Sequence, residues 1–119
     1  MSDTPQNLHK KFLGFFGEQR AVKLLKKKRY KIIKKNYKDK IGEVDIIAEK
    51  QGFLIFIEVK TRVSDDFGRP AEAVTVAKQR KYRLMAMGYV NRFGYEDTPI
   101  RFDVIEILGK EINHIENAF

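Results

Sequence analysis

The chain has 119 residues, 43% of them hydrophobic and 12% aromatic, which suits one compact domain with a real apolar core and leaves little room for a second. It contains no cysteine, so disulfides, thiolate metal sites and cysteine nucleophiles are excluded; the two histidines, His9 and His114, stand far apart near the ends and argue against a histidine zinc site. Lys and Arg number 24 against 16 Asp and Glu, and this net charge of +8 favours a polyanionic partner, because neutralising phosphates releases their counterions.

A metal, if used, must then be held by carboxylates and water, which points to Mg2+ or Mn2+. The opening residues, Met1 to Gln6, are polar, with no basic segment leading into an apolar one, and no apolar run approaches the length of a bilayer span. A cytoplasmic protein without a membrane partner is expected.

In chain order, residues 8–28 read as a helix, with Leu8, Phe12, Phe15, Ala21, Val22 and Leu25 recurring at spacings of three and four. Lys26, Lys27, Lys28 and Arg29 close it, where cations suit the negative end of the helix dipole. Residues 30–38 set Tyr30, Ile32, Ile33 and Tyr37 among lysines and read as an edge-like strand. A second strand runs from Gly42 to Glu49. The third, 53–60, is apolar enough to be covered on both faces. Residues 62–70 read as a loop rich in Ser, Asp, Gly and Arg, with Phe67-Gly68 as an anchor and hinge. Thr75 is the expected N-cap of a second helix ending near Asn91. A turn over 94–99 leads to a fourth strand, 100–108, and the tail 109–119 is a short edge strand or irregular. Helix, three strands, helix, strand describes an α/β layer structure with a mixed sheet.

Strand alternation puts Glu43, Asp45 and Ile47 on one face and Val44, Ile46 and Ala48 on the other. In the third strand Leu54, Phe56, Glu58 and Lys60 share a face. A two-residue turn at Gln51-Gly52 would pair Lys50 with Phe53, and hence Asp45 with Glu58 and Glu43 with Lys60; a three-residue connection would separate the acids. Directly opposed residues have Cβ atoms about 4.5 to 5.5 Å apart. Two carboxylates at that distance repel unless a cation lies between them, and a divalent ion with oxygen ligands at roughly 2.0 to 2.1 Å fits the gap. Lys60 points the same way and is suited to stabilise phosphate charge or position a water. Glu43 beside Lys60 offers an ordinary cross-strand ion pair instead, which makes Glu43 a secondary site candidate. Glu18 lies on the apolar stripe of the first helix, either as a core-facing acid on a metal or at the stripe's margin.

The run Gly42-Glu43-Val44-Asp45, followed by Glu58-Val59-Lys60-Thr61-Arg62, resembles the PD-(D/E)XK nuclease signature. Nearly end to end the chain resembles the YraN-like family of uncharacterised bacterial proteins. The matching stretches are Gly17-Glu18 with Ala21, Asn36-Tyr37, residues 42–47, residues 56–62, Phe67-Gly68 with residues 70–74, Lys78-Gln79-Arg80 and residues 101–104. The resemblance implies a restriction-endonuclease-like αβββαβ core, a mixed sheet flanked by helices, similar to archaeal Holliday junction resolvases. It further implies that Asp45 and Glu58, with the Val59 carbonyl and Glu18, bind the metal, and that Lys60 is the catalytic lysine. Val44 stands where the signature normally has proline.

On this reading the chain hydrolyses phosphodiester bonds in DNA, including branched or repair intermediates, with RNA as the second substrate candidate and a homodimer as the assembly hinted at by the likeness to resolvases. Arg62 and Arg69 in the loop, and Lys78, Gln79, Arg80 and Arg83 on the second helix with Lys81 and Tyr82 among them, are the expected nucleic-acid contacts. A solvated helix face accounts for any one of them equally well, and Arg101 with Asp103 suits a simple pair. Two other readings stand beside the nuclease: a non-cleaving nucleic-acid-binding module acting with a partner protein, and a domain whose charged face binds protein.

Overall fold

The computed structural model describes residues 5–62 and 74–119, with side chains from residue 14 onward. Its elements are α1 (Pro5–Lys27), β1 (Lys31–Lys38), β2 (Glu43–Lys50), β3 (Phe53–Arg62), α2 (Val76–Phe93), β4 (Ile100–Leu108) and β5 (Glu111–Ile115). The strands form one five-stranded sheet in the order β1-β2-β3-β4-β5. Only β3 and β4 run parallel, as a connection through α2 permits, and the other neighbours are antiparallel. This is the mixed α/β architecture expected, and it is compatible with a restriction-endonuclease-like core.

Local chemistry sets the boundaries. α1 begins at Pro5, earlier than the apolar periodicity suggested, because proline suits the first helical turn, where its missing N–H goes unused. It ends in a paired cap: the Tyr30 N–H donates to the Leu25 carbonyl and the Arg29 N–H to Lys26, with Arg29 left-handed at φ 68°. α2 starts where Thr75 accepts a bond from the Lys78 N–H and stops at Gly94, whose φ of 79° few other residues adopt readily. The β2–β3 turn has positive φ at both Gln51 (49°) and Gly52 (83°), the twist that a two-residue hairpin favours. The expected register follows, with Lys50 opposite Phe53 and Ile46 opposite Ile57. β3 runs two residues past the expected end, since Lys60, Thr61 and Arg62 stay paired with Glu106, Ile107 and Leu108. Arg62, expected in the loop, is thus the last residue of β3, and Phe67, Gly68 and Arg69 lie outside the described residues, as does the side chain of His9. β5 completes the far edge, so the tail takes the strand alternative.

The helices cover opposite faces. Ala21 and Leu25 of α1 pack with Ile46, Ala48, Ile55, Ile57, Ile105 and Ile107. Tyr82, Met85, Ala86 and Tyr89 of α2 pack with Val44, Ile47, Leu54 and Phe56. α1 comes so close to β3 that a Cβ on Gly17 would overlap Thr61 Oγ1 and lie 3.2 Å from Thr61 Cβ. Beneath the C-terminal end of α1, fully buried Asp103 accepts both Arg101 nitrogens at 2.8 Å, His114 Nε2 at 2.7 Å and the Asn117 N–H at 2.9 Å. Arg101 and Asp103 thus pair as expected. Burial pushes the Asp103 carboxyl up, but the bonds from His114, Arg101 and Asn117 together hold it below its ordinary value.

Two outcomes follow for stability. Gly17→Ala should cost about 1–3 kcal/mol in urea denaturation, with most of the loss returned by adding Thr61→Ala. An alanine that costs nothing would contradict the close approach. Asp103→Ala should cost about 3–5 kcal/mol, because it strands a buried guanidinium. Since the folded carboxyl ionises below its ordinary 3.8, that advantage of the wild type is complete above this pH and shrinks as pH falls through the depressed value.

Candidate functional site

The β2–β3 ladder closes at Ile46 and Ile57, one residue short of the acids. Beyond it Asp45 Oδ2 accepts the Val59 N–H at 2.8 Å, taking the place a main-chain carbonyl would have held, and the strands part. The expected alternation of β2 fails at the same point. Val44 packs with Ile47 on the α2 side rather than with Ile46 and Ala48, because strict alternation holds only while the strand is held flat in its ladder. Asp45 and Glu58 therefore meet across a fork in the sheet and not side by side on one face.

Each acid looks toward a different helix. Asp45 lines a cavity beneath α1 together with Glu18 and Asn36. Glu58, 3% exposed, faces α2: its Oε1 takes Lys78 Nζ at 2.5 Å and its Oε2 takes the Tyr82 hydroxyl at 2.5 Å. The Lys60 ammonium is 3.4 Å from the same Oε1, so Glu58 and Lys60 do share a side of β3. Glu43 is exposed at the start of β2, in a cleft with Lys78, Lys81 and Tyr82, and the observed register stops short of pairing it with Lys60.

The electrostatics are those of crowded negative charge. Burial first, and then the neighbouring Glu58 charge, push the Asp45 carboxyl up to about 7, although the Val59 N–H opposes the shift. Burial also raises Glu18, against hydrogen bonds with Asn36 and Asp45 that lower it. For Lys78, burial works to lower the ammonium's pKa, but its bond to Glu58 and the charges of Glu58 and Asp45 leave it raised. Tyr82 is raised by burial and by the same two acids. The oxygens able to hold a hard cation are those of Asp45, Glu58 and the Val59 carbonyl, with Glu18 beside Asp45. Among the described residues no group of three or more His, Asp or Glu side chains is arranged to hold an ion. The donor set suits Mg2+ on chemical grounds, since that ion is usually held by one or two carboxylates, water and substrate phosphate rather than by an all-protein cage.

The expected nucleic-acid contacts are dispersed. Arg62 Nε lies 3.0 Å from Glu106 Oε2, both side chains being largely buried. Gln79 donates to the Val74 carbonyl at 3.0 Å. The Arg83 guanidinium lies over Phe102 and Phe119 at 5.7 and 5.6 Å. Arg80 and Lys81 are exposed. Sequence reasoning missed Tyr82 as the partner of Glu58, Lys78 as its counter-charge and Glu106 as the partner of Arg62, and it met Asn36 only within a family-like stretch and not as a neighbour of Asp45. The first two had a signal: Lys78 and Tyr82 are four apart and lead directly into the buried stripe Met85, Ala86 and Tyr89.

A mixed α/β domain with carboxylates and a lysine at the mouth of a sheet fork is the class that fold and site define. The chain belongs to the uncharacterised protein family UPF0102, whose family model matches residues 17–107. It is 48% identical to a UPF0102 protein of Thermodesulfovibrio yellowstonii over 90% of this chain and 95% of that one. It is also 48% identical to one from Clostridioides difficile over 94% of this chain and the whole of the relative. A third, from Alkaliphilus oremlandii, is 48% identical over 92% and 98%. The matched span includes every described residue of the fork.

The raised Asp45 carboxyl yields a test. It binds its proton more tightly when folded, so stability falls as pH rises from its ordinary 3.8 to about 7 and is level above. Millimolar Mg2+ should therefore raise the melting temperature more at about pH 8 than at about pH 5. Asp45→Asn should remove both the pH-dependent loss and the magnesium response; an equal response at the two pH values would contradict this account.

Proposed function

We propose that this chain is a metal-dependent nuclease that hydrolyses phosphodiester bonds in DNA. The observation that carries the reading is the fork itself, where Asp45 and Glu58 come within electrostatic reach of each other at the open end of β2 and β3, with Lys60 against Glu58. A part-buried acid whose proton affinity is raised by burial and by the charge of a buried neighbouring carboxylate is costly to keep in a small domain, and a functional site is where such a cost persists. The resemblance of residues 42–45 and 58–62 to the PD-(D/E)XK signature and the +8 charge support the same reading.

Asp45 and Glu58, with the Val59 carbonyl, are the groups that would hold Mg2+ or Mn2+. Such an ion lowers the pKa of a bound water and offsets charge on the scissile phosphate. Lys60 places an ammonium against the developing phosphate charge or orients the attacking water. The Val59 N–H fixes Asp45 by donating to Oδ2, and Tyr82 positions Glu58 by donating to Oε2, while Glu58 would exchange its bond to Lys78 for the ion.

A second reading, a nucleic-acid-binding module that does not cut, draws on one observation: both Glu58 oxygens are already taken, by Lys78 and Tyr82. Labelled duplex, single-stranded and branched DNA and RNA, incubated with Mn2+ or Mg2+, separate the two. Cleavage by the wild type is expected, lost with Asp45→Ala or Glu58→Ala while salt-sensitive binding persists, and slowed roughly 10²- to 10³-fold by Lys60→Ala. Binding without cutting of any substrate would favour the second reading.

A further inference from the structure

We infer that the cavity beneath α1 is a subsite for one unpaired nucleotide of a nucleic-acid strand, adjoining the fork; the inference rests on the nucleic-acid reading above and narrows its substrate. The cavity holds about 430 Å³, within the range of roughly 300 to 1,000 Å³ usual for small-molecule pockets. That is room for a single base with its sugar and phosphate, and too little for a paired duplex.

Its lining is sorted by chemistry. Val22 and Ile46 supply an apolar wall, and Phe15, 57% exposed, offers a ring on α1 one turn before Glu18. The exposed face of this ring is available for stacking, and every base has a π-face suited to it. Lys23, Lys26 and Lys35 are exposed around the opening, while Asp45, Glu18 and Asn36 lie together along the same cavity. Cations at the rim select an anionic ligand. Carboxylate and amide groups within it suit the N–H donors of a base edge. A peptide or lipid segment would satisfy the apolar wall but not both polar ends.

Asn36 adds a further mark. It sits in mid-strand with φ at 53°, a left-handed conformation that a regular strand avoids, and so turns β1 at the cavity wall. Because Asp45 belongs both to this cavity and to the fork, a base seated here would place its neighbouring phosphate toward the Asp45–Glu58 pair. An unpaired strand delivers a base there directly, whereas a duplex must first unstack and unpair one, so an unpaired strand is preferred. The substrate class so defined is single-stranded, flapped or branched nucleic acid, and not continuous duplex.

The experiment is a binding assay in EDTA, so that hydrolysis plays no part. The probes are a short single-stranded DNA carrying 2-aminopurine and the blunt duplex of the same sequence. The wild type should prefer the single strand and quench the probe by stacking. Phe15→Ala and Lys35→Ala should each weaken single-strand binding roughly tenfold and leave duplex binding unchanged. Both residues are exposed, so unaltered melting temperatures should accompany the loss. Equal weakening for single strand and duplex, or undiminished single-strand binding when Val22→Trp fills the cavity, would overturn the subsite. Cleavage that survives intact in those variants would sink the subsite alone, whereas stacking without any cutting under Mn2+ would sink only the nuclease reading.

Discussion

The hydrogen bond from the Val59 N–H to Asp45 is the constraint on which the site depends. Two antiparallel strands cannot simply part inside a protein, because each broken rung leaves a donor and an acceptor to satisfy. Here a side-chain carboxylate substitutes for the missing rung. The fork opens without an orphaned amide at Val59, and the carboxylate that holds it open is fixed by the same bond. A neutral residue of similar size would weaken the bond, and a longer acid would not reach from the same register. Structure and candidate chemistry thus need the same group.

The two helices then give the fork its asymmetry. α1 approaches β3 closely because Gly17 has no side chain to meet Thr61, and this brings Glu18 to the Asp45 side. α2 reaches the other side with Lys78 and Tyr82, which neutralise and orient Glu58. One acid faces a cavity with a basic rim, and the other is locked in a hydrogen-bonded pocket. Their environments differ although they are near neighbours, and paired carboxylates with unlike surroundings are the arrangement that lets two acids play unlike parts.

How much of this was legible in the residues varies with how local the determinant is. Thr75, Gly94 and the Gln51-Gly52 turn act through their own backbone, and the helix limits and the β2–β3 register were readable from them. Through that register the meeting of Asp45 and Glu58 was readable too. The face of Asp45 was not, since period-two counting assumes a continuous ladder and the carboxylate itself ends it between Ile46 and Val44. The paths of Lys78, Arg62 and Arg83 were hidden for another reason. Composition counts a cation without saying whether it turns inward to an acid, as Lys78 does to Glu58 and Arg62 to Glu106, or lies along rings, as Arg83 does over Phe102 and Phe119.

That inward turning changes what the +8 charge means. Arg101 is held by Asp103, and Lys34 lies 4.0 Å from the centre of the Phe93 ring, so neither adds freely to a surface field. On α2 the exposed cations beyond the fork are Arg80, Lys81, Arg83 and Arg92, of which Arg83 and Arg92 lie over aromatic rings. The α1 side is different: Lys23, Lys26 and Lys35 are exposed together around one opening that leads to Asp45. Among the described residues, a polyanion drawn to the molecule by its net charge would find three exposed cations grouped there, on the side of the sheet opposite the helix whose sequence looked the more basic. Net charge sets the attraction, but the acids buried beneath each surface decide which side has charge left to use.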